Sequence, residues 1–484
     1  MPLEISCQNC QAKLPPSQRS LICPYCSASA VEYQFVLKEN RPCTVHKNQR
    51  GIWRYEDFLP VFRKRITLGE GNTPIRKARQ LFKEKVQLSF KIEGANPTGS
   101  FLDRVSPLMV SDALSQGMKT LVCASDGNLG ASLSAYSAAA QLKCYCVIPK
   151  NTSPEKKTQM QAFGAEIISF GETIDDSLSL AKKMIEKGRY QATPEYNILT
   201  IEGTKTIAFE IIEELGRENT TSFDFPEYLI IPMGSGGLLY SIWRGFKQAQ
   251  EAKLFPKEKR LPKIIGVQVE GYDVIVKSLA TGKMSISTTG KKGRRKTIAD
   301  AISVRKPTYG EKAMESIRES KGTATTVSEE EIITASKMLA QKEGLFVELS
   351  SAAVVAAATQ LVEERFFTRE DVVLAVITSS GLKTSHAFQR KTSPTGKIRA
   401  FRSMGTKLEI LTLITQKEAD FGYAIWKELG ESISLQAVYQ HLKELVTKGF
   451  IKEDETTERQ KKYSLTEKGR KLLQKMNELE ELFK

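Results

Sequence analysis

Four cysteines near the start of the chain, Cys7, Cys10, Cys23 and Cys26, are spaced C-x2-C-x12-C-x2-C. Each pair fits a tight turn, and two such turns can present four thiolates tetrahedrally to zinc. All four ligand positions would be protein-filled, so the expected role of the metal is structural. The competing reading is a pair of disulfides, which a reducing cytosol disfavours. Cys123, Cys144 and Cys146 lie in the apolar runs TLVCAS and KCYCVIP and are expected in the core. A second candidate is Gly234, Ser235, Gly236, Gly237 and Leu238, a glycine-rich turn between a strand-like run and a helical one. Backbone N–H groups there, with a helix N-terminus behind them, can cradle a phosphate. Basic charge is the third signal. KKGRRK at 291–296 puts five basic residues in six positions, and the stretch from Ser385 to Thr406 holds Arg390, Lys391, Lys397, Arg399 and Arg402 with no acid. Both clusters also read as solvated loops, and the net charge of +15 licenses only an expectation of polyanion binding or solubility.

The elements that must position these residues follow from the apolar pattern. At 484 residues the chain is too long for one ordinary domain. With 40% hydrophobic and 26% charged residues it suits a water-soluble protein with a full core. No apolar run spans a bilayer, and MPLEISCQNC lacks the pattern of a signal peptide; a cytoplasmic location is expected. From about 63 to 384, the runs LSFKIEG, TLVCAS, CYCVIP, AEIISF, YLIIPM, IIGVQVE and DVVLAVIT read as strands. They are continuously apolar, as expected for parallel sheet covered on both faces. Helical patterns follow directly, in SLSAYSAAAQ after Gly130 and GGLLYSIWRGFKQA after Met233. This predicts a doubly wound α/β body, with a site at the C-terminal ends of its strands. Between ribbon and body, Tyr33, Phe35, Trp53, Tyr55, Phe58 and Phe62 are expected to pack the one onto the other.

The last 80 or so residues have their own pattern. TKLEILTLI, FGYAIWKELG and SLQAVYQHLKELVTKG read as three helices, the second ended by Gly430, the third with Ser434 as N-cap and Gly449 as C-cap. In the third, Leu435, Val438, Leu442 and Leu445 should face the core, turning Gln436, Gln440, Lys443 and His441 outward. FIKEDE and KKYSLT then form two short strands, and TEKGRKLLQKMNELEELF a last helix. Three helices, a wing and a trailing helix make a winged helix-turn-helix. GYAIWKEL, AVYQHLKELVTKGFI and KKYSLTEKGRKLL resemble the PadR family of transcriptional regulators. The resemblance implies that helix 434–448 enters the major groove, with Gln436, Gln440 and Lys443 reading bases. Arg459, Lys461 and Lys462 on the wing would touch phosphates. The stripe Leu472, Met476, Leu479 and Phe483 suits pairing with a second copy, or packing on its own domain. The alternative for this domain is a protein-interaction module, since 452–462 holds four acids against four bases.

In the body, LGEGNTPI, KIEGANPTGSFLDR, SDGNLGASLSAYSAA, EGTKTIAFEI, IPMGSGGLLYSIWRGF, EGLFVELSSAA and ITSSGLK occur in order. Together they resemble threonine synthase and its relatives among the fold-type II (tryptophan synthase β-like) pyridoxal-phosphate enzymes. The resemblance covers roughly residues 1–384, including a zinc-ribbon-like start. It implies that Gly234, Ser235, Gly236, Gly237 and Leu238 hold the cofactor phosphate and that Asn128 meets its phenolic oxygen. Thr378, or alternatively Ser379 or Ser380, would meet the pyridine nitrogen, and Asn96–Ser100 the substrate carboxylate side.

One position departs decisively. Where the family reads SFKDR, with the lysine that forms the Schiff base, this chain reads SFLDR, with Leu102. Leucine has no nitrogen, forms no imine and moves no proton, so no catalytic residue is assigned. The glycine after DR is replaced by Val105, and Arg305 and Lys306 follow TIADAIS where a glycine is usual. Rescue by another lysine would fall to Lys91, Lys205 or Lys383, which sit in retained motifs. The expected organisation is a zinc ribbon (1–33), a threonine synthase-like body (34–384), a basic linker (385–405) and a PadR-like winged helix (406–484). The expected function is a homodimeric DNA-binding regulator whose disabled effector domain senses PLP held non-covalently, an amino acid or a phospho-amino acid. The alternative is a PLP-dependent lyase acting on phosphohomoserine or a hydroxy amino acid.

Overall fold

The computed structural model describes residues 3–36, 43–125, 127–185, 188–215, 225–254, 260–282, 285–286, 297–387, 406–415, 421–429, 435–454 and 461–482. The chain divides into two compact units, Met1–Phe388 and Gln389–Lys484.

In the first unit, β1 (Leu3–Cys7), β2 (Lys13–Leu14) and β3 (Val31–Phe35) form a small antiparallel sheet carrying the cysteine turns. It has no core of its own size. Ile5, Leu21, Val31 and Tyr33 share one apolar cluster with Leu108, Leu133 and Tyr136 of the body. Arg19 clamps Asp112 with two bonds of 2.6 Å, and Tyr240 donates to Glu32 at 2.7 Å. The expected aromatic packing is present: Phe35 stacks on Phe58, which in turn meets Phe209 at 4.7 Å.

The body continues with β4 (Ile75–Lys77), β5 (Gln87–Ile92), β6 (Thr120–Ala124), β7 (Lys143–Ile148) and β8 (Glu166–Ser169). Then come β9 (Tyr190–Gln191), β10 (Tyr228–Pro232), β11 (Lys263–Val269), β12 (Thr323–Val327) and β13 (Val372–Ile377). All seven expected strands form. They divide between two sheets, of order β12-β11-β10-β13-β5-β4 and β8-β7-β6-β9. Both are parallel apart from the edge strand β4. Apolar runs mark strands without saying which neighbour each takes, so the division was not legible in them. Strand β12, TATTV, lacks the apolar run that marks the others. Helices cover both faces of the larger sheet, and two separate apolar clusters lie on either side of it. Cys123, Cys144 and Cys146 are buried, as expected.

The second unit has helical residues 406–415, helices Gly422–Glu428 and Leu435–Thr447, the hairpin β14 (Ile451–Asp454) and β15 (Lys462–Leu465), and helix Glu467–Leu482. Ile410, Ile425, Val438, Leu442, Leu445 and Ile451 make its core. Gly449, at φ +71, ends the third helix in the left-handed region as predicted. The caps at Gly430 and Ser434, the KKGRRK cluster and residues 388–405 of the basic stretch lie outside the described residues. Among the described residues, no helix is long and apolar enough to cross a membrane.

Candidate functional site

The turn that contains position 102 is held from both sides. Asp103 accepts from the Thr98 backbone N–H at 2.6 Å and from its hydroxyl at 2.7 Å. Arg104 is fully buried and bonds Glu93 at 2.7 and 2.8 Å and Glu210 at 2.7 Å. Lys91 adds a bond to Glu210 at 2.9 Å. Burial pushes the Glu210 carboxyl up, but Arg104 and then Lys91 outweigh it and hold it well below the usual carboxylate range. Between these anchors Leu102 is partly buried against the apolar cluster beneath it. Val105 is buried, and Gly203 lets it approach: a Cβ there would stand 2.3 Å from the Arg104 carbonyl oxygen.

The glycine turn joins β10 to helix Gly237–Glu251, as the sequence predicts. Gly236 has φ +86, and a Cβ on it would stand 2.8 Å from the Tyr309 carbonyl oxygen. A Cβ on Gly234 would meet the Ala301 carbonyl oxygen at 3.0 Å. Glycine at these positions lets the backbone come close, leaving N–H groups at the head of a long helix as an anion cradle.

Asn128 opens helix Asn128–Ala139 at the end of β6. Its Nδ2 donates to Glu348 Oε2 at 2.8 Å, while its Oδ1 is buried without a partner. Glu348 also takes the ammonium of Lys156 at 2.7 Å, and Lys156 reaches Asp300 at 3.2 Å. Burial raises the Glu348 carboxyl, and Lys156 brings it below its ordinary value. The methylenes of Lys156 cover Gly127, whose φ of +129 and lack of Cβ admit them. Thr378 follows β13, and its hydroxyl shares a 2.6 Å bond with Ser351. The Ser379 hydroxyl donates to the Gly99 carbonyl, and that of Ser380 accepts from the Leu382 backbone N–H. In the Asn96–Ser100 turn, the Ser100 hydroxyl is buried and unpartnered.

The lysines named as substitutes are engaged elsewhere. Lys91 bonds Thr73 and Glu210. Lys205 pairs with Glu202, and Lys383 bonds the Thr98 carbonyl and Gln159. Lys156, Glu348 and Asp300, which cluster with Asn128, are not marked as site residues by the sequence. Glu348 and Asp300 lie in quoted motifs, but Lys156 sits in the polar helix Pro154–Ala162, which looks solvated until packed.

At the ribbon, the Sγ atoms of Cys7, Cys10, Cys23 and Cys26 all lie within 4.8 Å of one another. Four thiols this close fit a tetrahedral metal. In the second unit, Gln440 and Lys443 are exposed while Val438, Leu442 and Leu445 are buried, as predicted, but Leu435 is only half-buried and His441, expected outward, is half-buried with its Nδ1 closed off from solvent. Lys461 and Lys462 are exposed, and Lys461 pairs with Glu453 at 2.8 Å. Arg459 and the side chains of Gln436, Met476, Leu479 and Phe483 lie outside the described residues, and Leu472 packs against its own domain's core.

Comparison with known proteins agrees with this geometry. Residues 66–379 match the family model "Pyridoxal-phosphate dependent enzyme", and residues 410–475 match "Transcriptional regulator PadR-like family". Threonine synthase of Methanocaldococcus jannaschii is 36% identical over 359 residues, covering 73% of this chain and 86% of that protein. Threonine synthase of Methanosarcina acetivorans is 37% identical over 336 residues, covering 69% and 80%. Among solved structures, a pyridoxal 5'-phosphate-dependent aspartate racemase aligns with TM-score 0.53 at 21% identity, over 64% of this chain and 90% of that one. Threonine deaminase isoform 2 from Solanum lycopersicum aligns with TM-score 0.54 at 21% identity, over 73% and 92%. The fold is that of the fold-type II pyridoxal-phosphate enzymes, joined to a PadR-like winged helix. The chain belongs to the pyridoxal-phosphate dependent enzyme family, and its relatives there include threonine synthases.

Proposed function

We propose that this chain is a DNA-binding transcriptional regulator whose threonine synthase-like body senses a ligand instead of converting it. Position 102 carries the proposal. The anchors of its turn are intact, yet the side chain there is leucine, which offers no nucleophile. The remaining site suits a phosphorylated ligand: a glycine turn at the head of a long helix, packed too closely against Ala301 and Tyr309 for side chains at Gly234 and Gly236, and buried polar atoms of Asn128 and Ser100 without partners. PLP held non-covalently, an amino acid or a phospho-amino acid would suit it, with Asn128, the 234–238 turn and Thr378 as contacts.

Zinc at the four cysteines would be structural. The winged helix would bind DNA through Gln436, Gln440 and Lys443, with Arg459, Lys461 and Lys462 on phosphates, as a homodimer matched to a palindromic operator. We place the ribbon at 1–33, the body at 34–384, the linker at 385–405 and the winged helix at 406–484. A ligand changes operator affinity only if it prefers one state of the protein over the other.

The test is direct. Target sequences are selected from random DNA with the full chain, and Kd is measured with and without PLP, O-phosphoserine and phosphohomoserine. A shift of about tenfold, or ~1.4 kcal/mol, with one of them is expected; no shift with any contradicts the reading. The identity to threonine synthases favours a second reading, a lyase acting on phosphohomoserine or a hydroxy amino acid. It requires phosphate release from phosphohomoserine, or ammonia release from serine or threonine.

A further inference from the structure

We infer that the cysteine ribbon positions the glycine turn, acting through Glu32, Tyr240 and Tyr309, so that a change in the ribbon alters anion binding at the turn. Glu32 and Tyr240 meet across 208 residues of sequence. The inference rests on the reading of the turn as a phosphate cradle, and it makes the ribbon a regulator of that site.

The path starts on β3. Glu32 stands opposite Ser6 in the antiparallel pairing with β1, beside the Cys7–Val31 pair, so its backbone is set by the strand that ends in Cys7. Its side chain is buried against helix Gly237–Glu251, where Tyr240 donates to Oε2 at 2.7 Å and the Arg244 guanidinium stands 3.6 Å away. Arg244 shares its charge with Glu202 at 3.7 Å. A hydrogen bond to an ionised carboxylate is roughly twice as strong as a neutral one, and none of Glu32, Tyr240 and Arg244 is more than 8% exposed. Tyr240 and Arg244 lie four residues apart on one helix face. A single carboxylate from the ribbon therefore holds the head of the helix that the glycine turn opens.

From Tyr240 the path reaches the turn itself. The Tyr240 backbone N–H donates to the Gly236 carbonyl at 3.1 Å. Its ring stacks on Tyr309, with centroids 6.3 Å apart and planes 19° from parallel. Tyr309 in turn braces the glycines. Its N–H donates to the Ser235 carbonyl at 2.9 Å, its carbonyl oxygen lies 2.8 Å from where a Gly236 Cβ would stand, and its ring lies 3.1 Å from where a Gly237 Cβ would stand. Interiors packed this closely transmit a displacement to their neighbours. The ribbon's other polar anchor, Arg19 on Asp112, lands on a different helix, Ser106–Ser115.

The experiment titrates inorganic phosphate calorimetrically into the full wild-type chain and into its E32A, E32Q, Y240F and R19A variants. Backbone amide exchange across 234–241 is followed in the same proteins without ligand. E32A and Y240F are expected to weaken phosphate about tenfold and to speed exchange at the head of the helix. E32Q keeps an acceptor for the phenol and should stay within about threefold of the wild type. R19A loosens the ribbon elsewhere and should leave both readings unchanged. Thermal melts check folding, and if E32A fails to fold, Y240F decides. Phosphate binding that is unchanged in E32A and Y240F, or weakened equally by R19A, overturns the inference. Failure of the wild type to bind phosphate overturns the cradle reading instead, and exchange that E32A and Y240F leave unchanged would then overturn the positioning as well.

Discussion

Asn128 Nδ2 donates to Glu348 Oε2 at 2.8 Å, tying the start of helix Asn128–Ala139, which leads out of the smaller sheet, to the residue that precedes helix Leu349–Glu363 on the larger one. Lys156 doubles this tie from the helix that follows β7. Elements from the two sheets thus share one buried carboxylate.

Restoring the lysine should restore imine formation. Asp103 and Arg104 fix the turn independently of residue 102, so L102K is expected to fold and, after incubation with PLP and borohydride, to carry a reduced adduct at position 102. Mass mapping of the peptide reads the result. An L102K protein that folds but takes no adduct would show that the turn does not face the cofactor.

The Arg104–Glu210 pair should govern acid stability. Glu210's folded carboxyl titrates below its unfolded value near 4.5, so the stability it contributes is fully present above about pH 4.5 and is lost as pH falls through the lower folded value. Thermal melts from pH 7 to pH 3 are expected to show this loss in the wild type. E210Q should be less stable at pH 7, by about 3–5 kcal/mol for a broken buried pair, and flatter with pH across that window. Parallel curves for the two proteins would contradict the assignment.

Metal removal should be felt in the body. The ribbon shares its apolar cluster with the body and is clamped by Arg19 on Asp112. A chelator, or C7S with C10S, is expected to lower the melting temperature of the first unit, with zinc found at one equivalent in the untreated protein. Absence of bound metal together with an unchanged melt argues against a structural zinc.

On DNA, Q440A is expected to weaken binding by about 1–3 kcal/mol at one base position if the glutamine reads a base bidentately. K443A should reduce the salt slope by about one if the lysine meets a phosphate. Fluorescence anisotropy across a salt series separates these, and a domain that binds no selected DNA is an interaction module instead.

Much of this was legible in the sequence because local chemistry carried it. The cysteine spacing, the glycine turn and the apolar face of Val438, Leu442 and Leu445 depend on residues close in the chain. The parts that were not legible are tertiary. Glu93 and Glu210 converge on Arg104 from 11 and 106 residues away, and Lys156 meets Asp300 across 144 residues. Nothing in a single run of sequence marks a lysine that will be buried. The division of the strands into two sheets was hidden for the same reason, since strand pairing is not a local property.

The most direct test is a titration of the wild-type protein with PLP followed by absorbance, borohydride reduction and mass analysis, with phosphate release from phosphohomoserine measured alongside. Sensing without conversion predicts saturable binding, no reduced adduct on any lysine and no phosphate release. An adduct accompanied by turnover would contradict it and make the chain an enzyme with a DNA-binding domain attached.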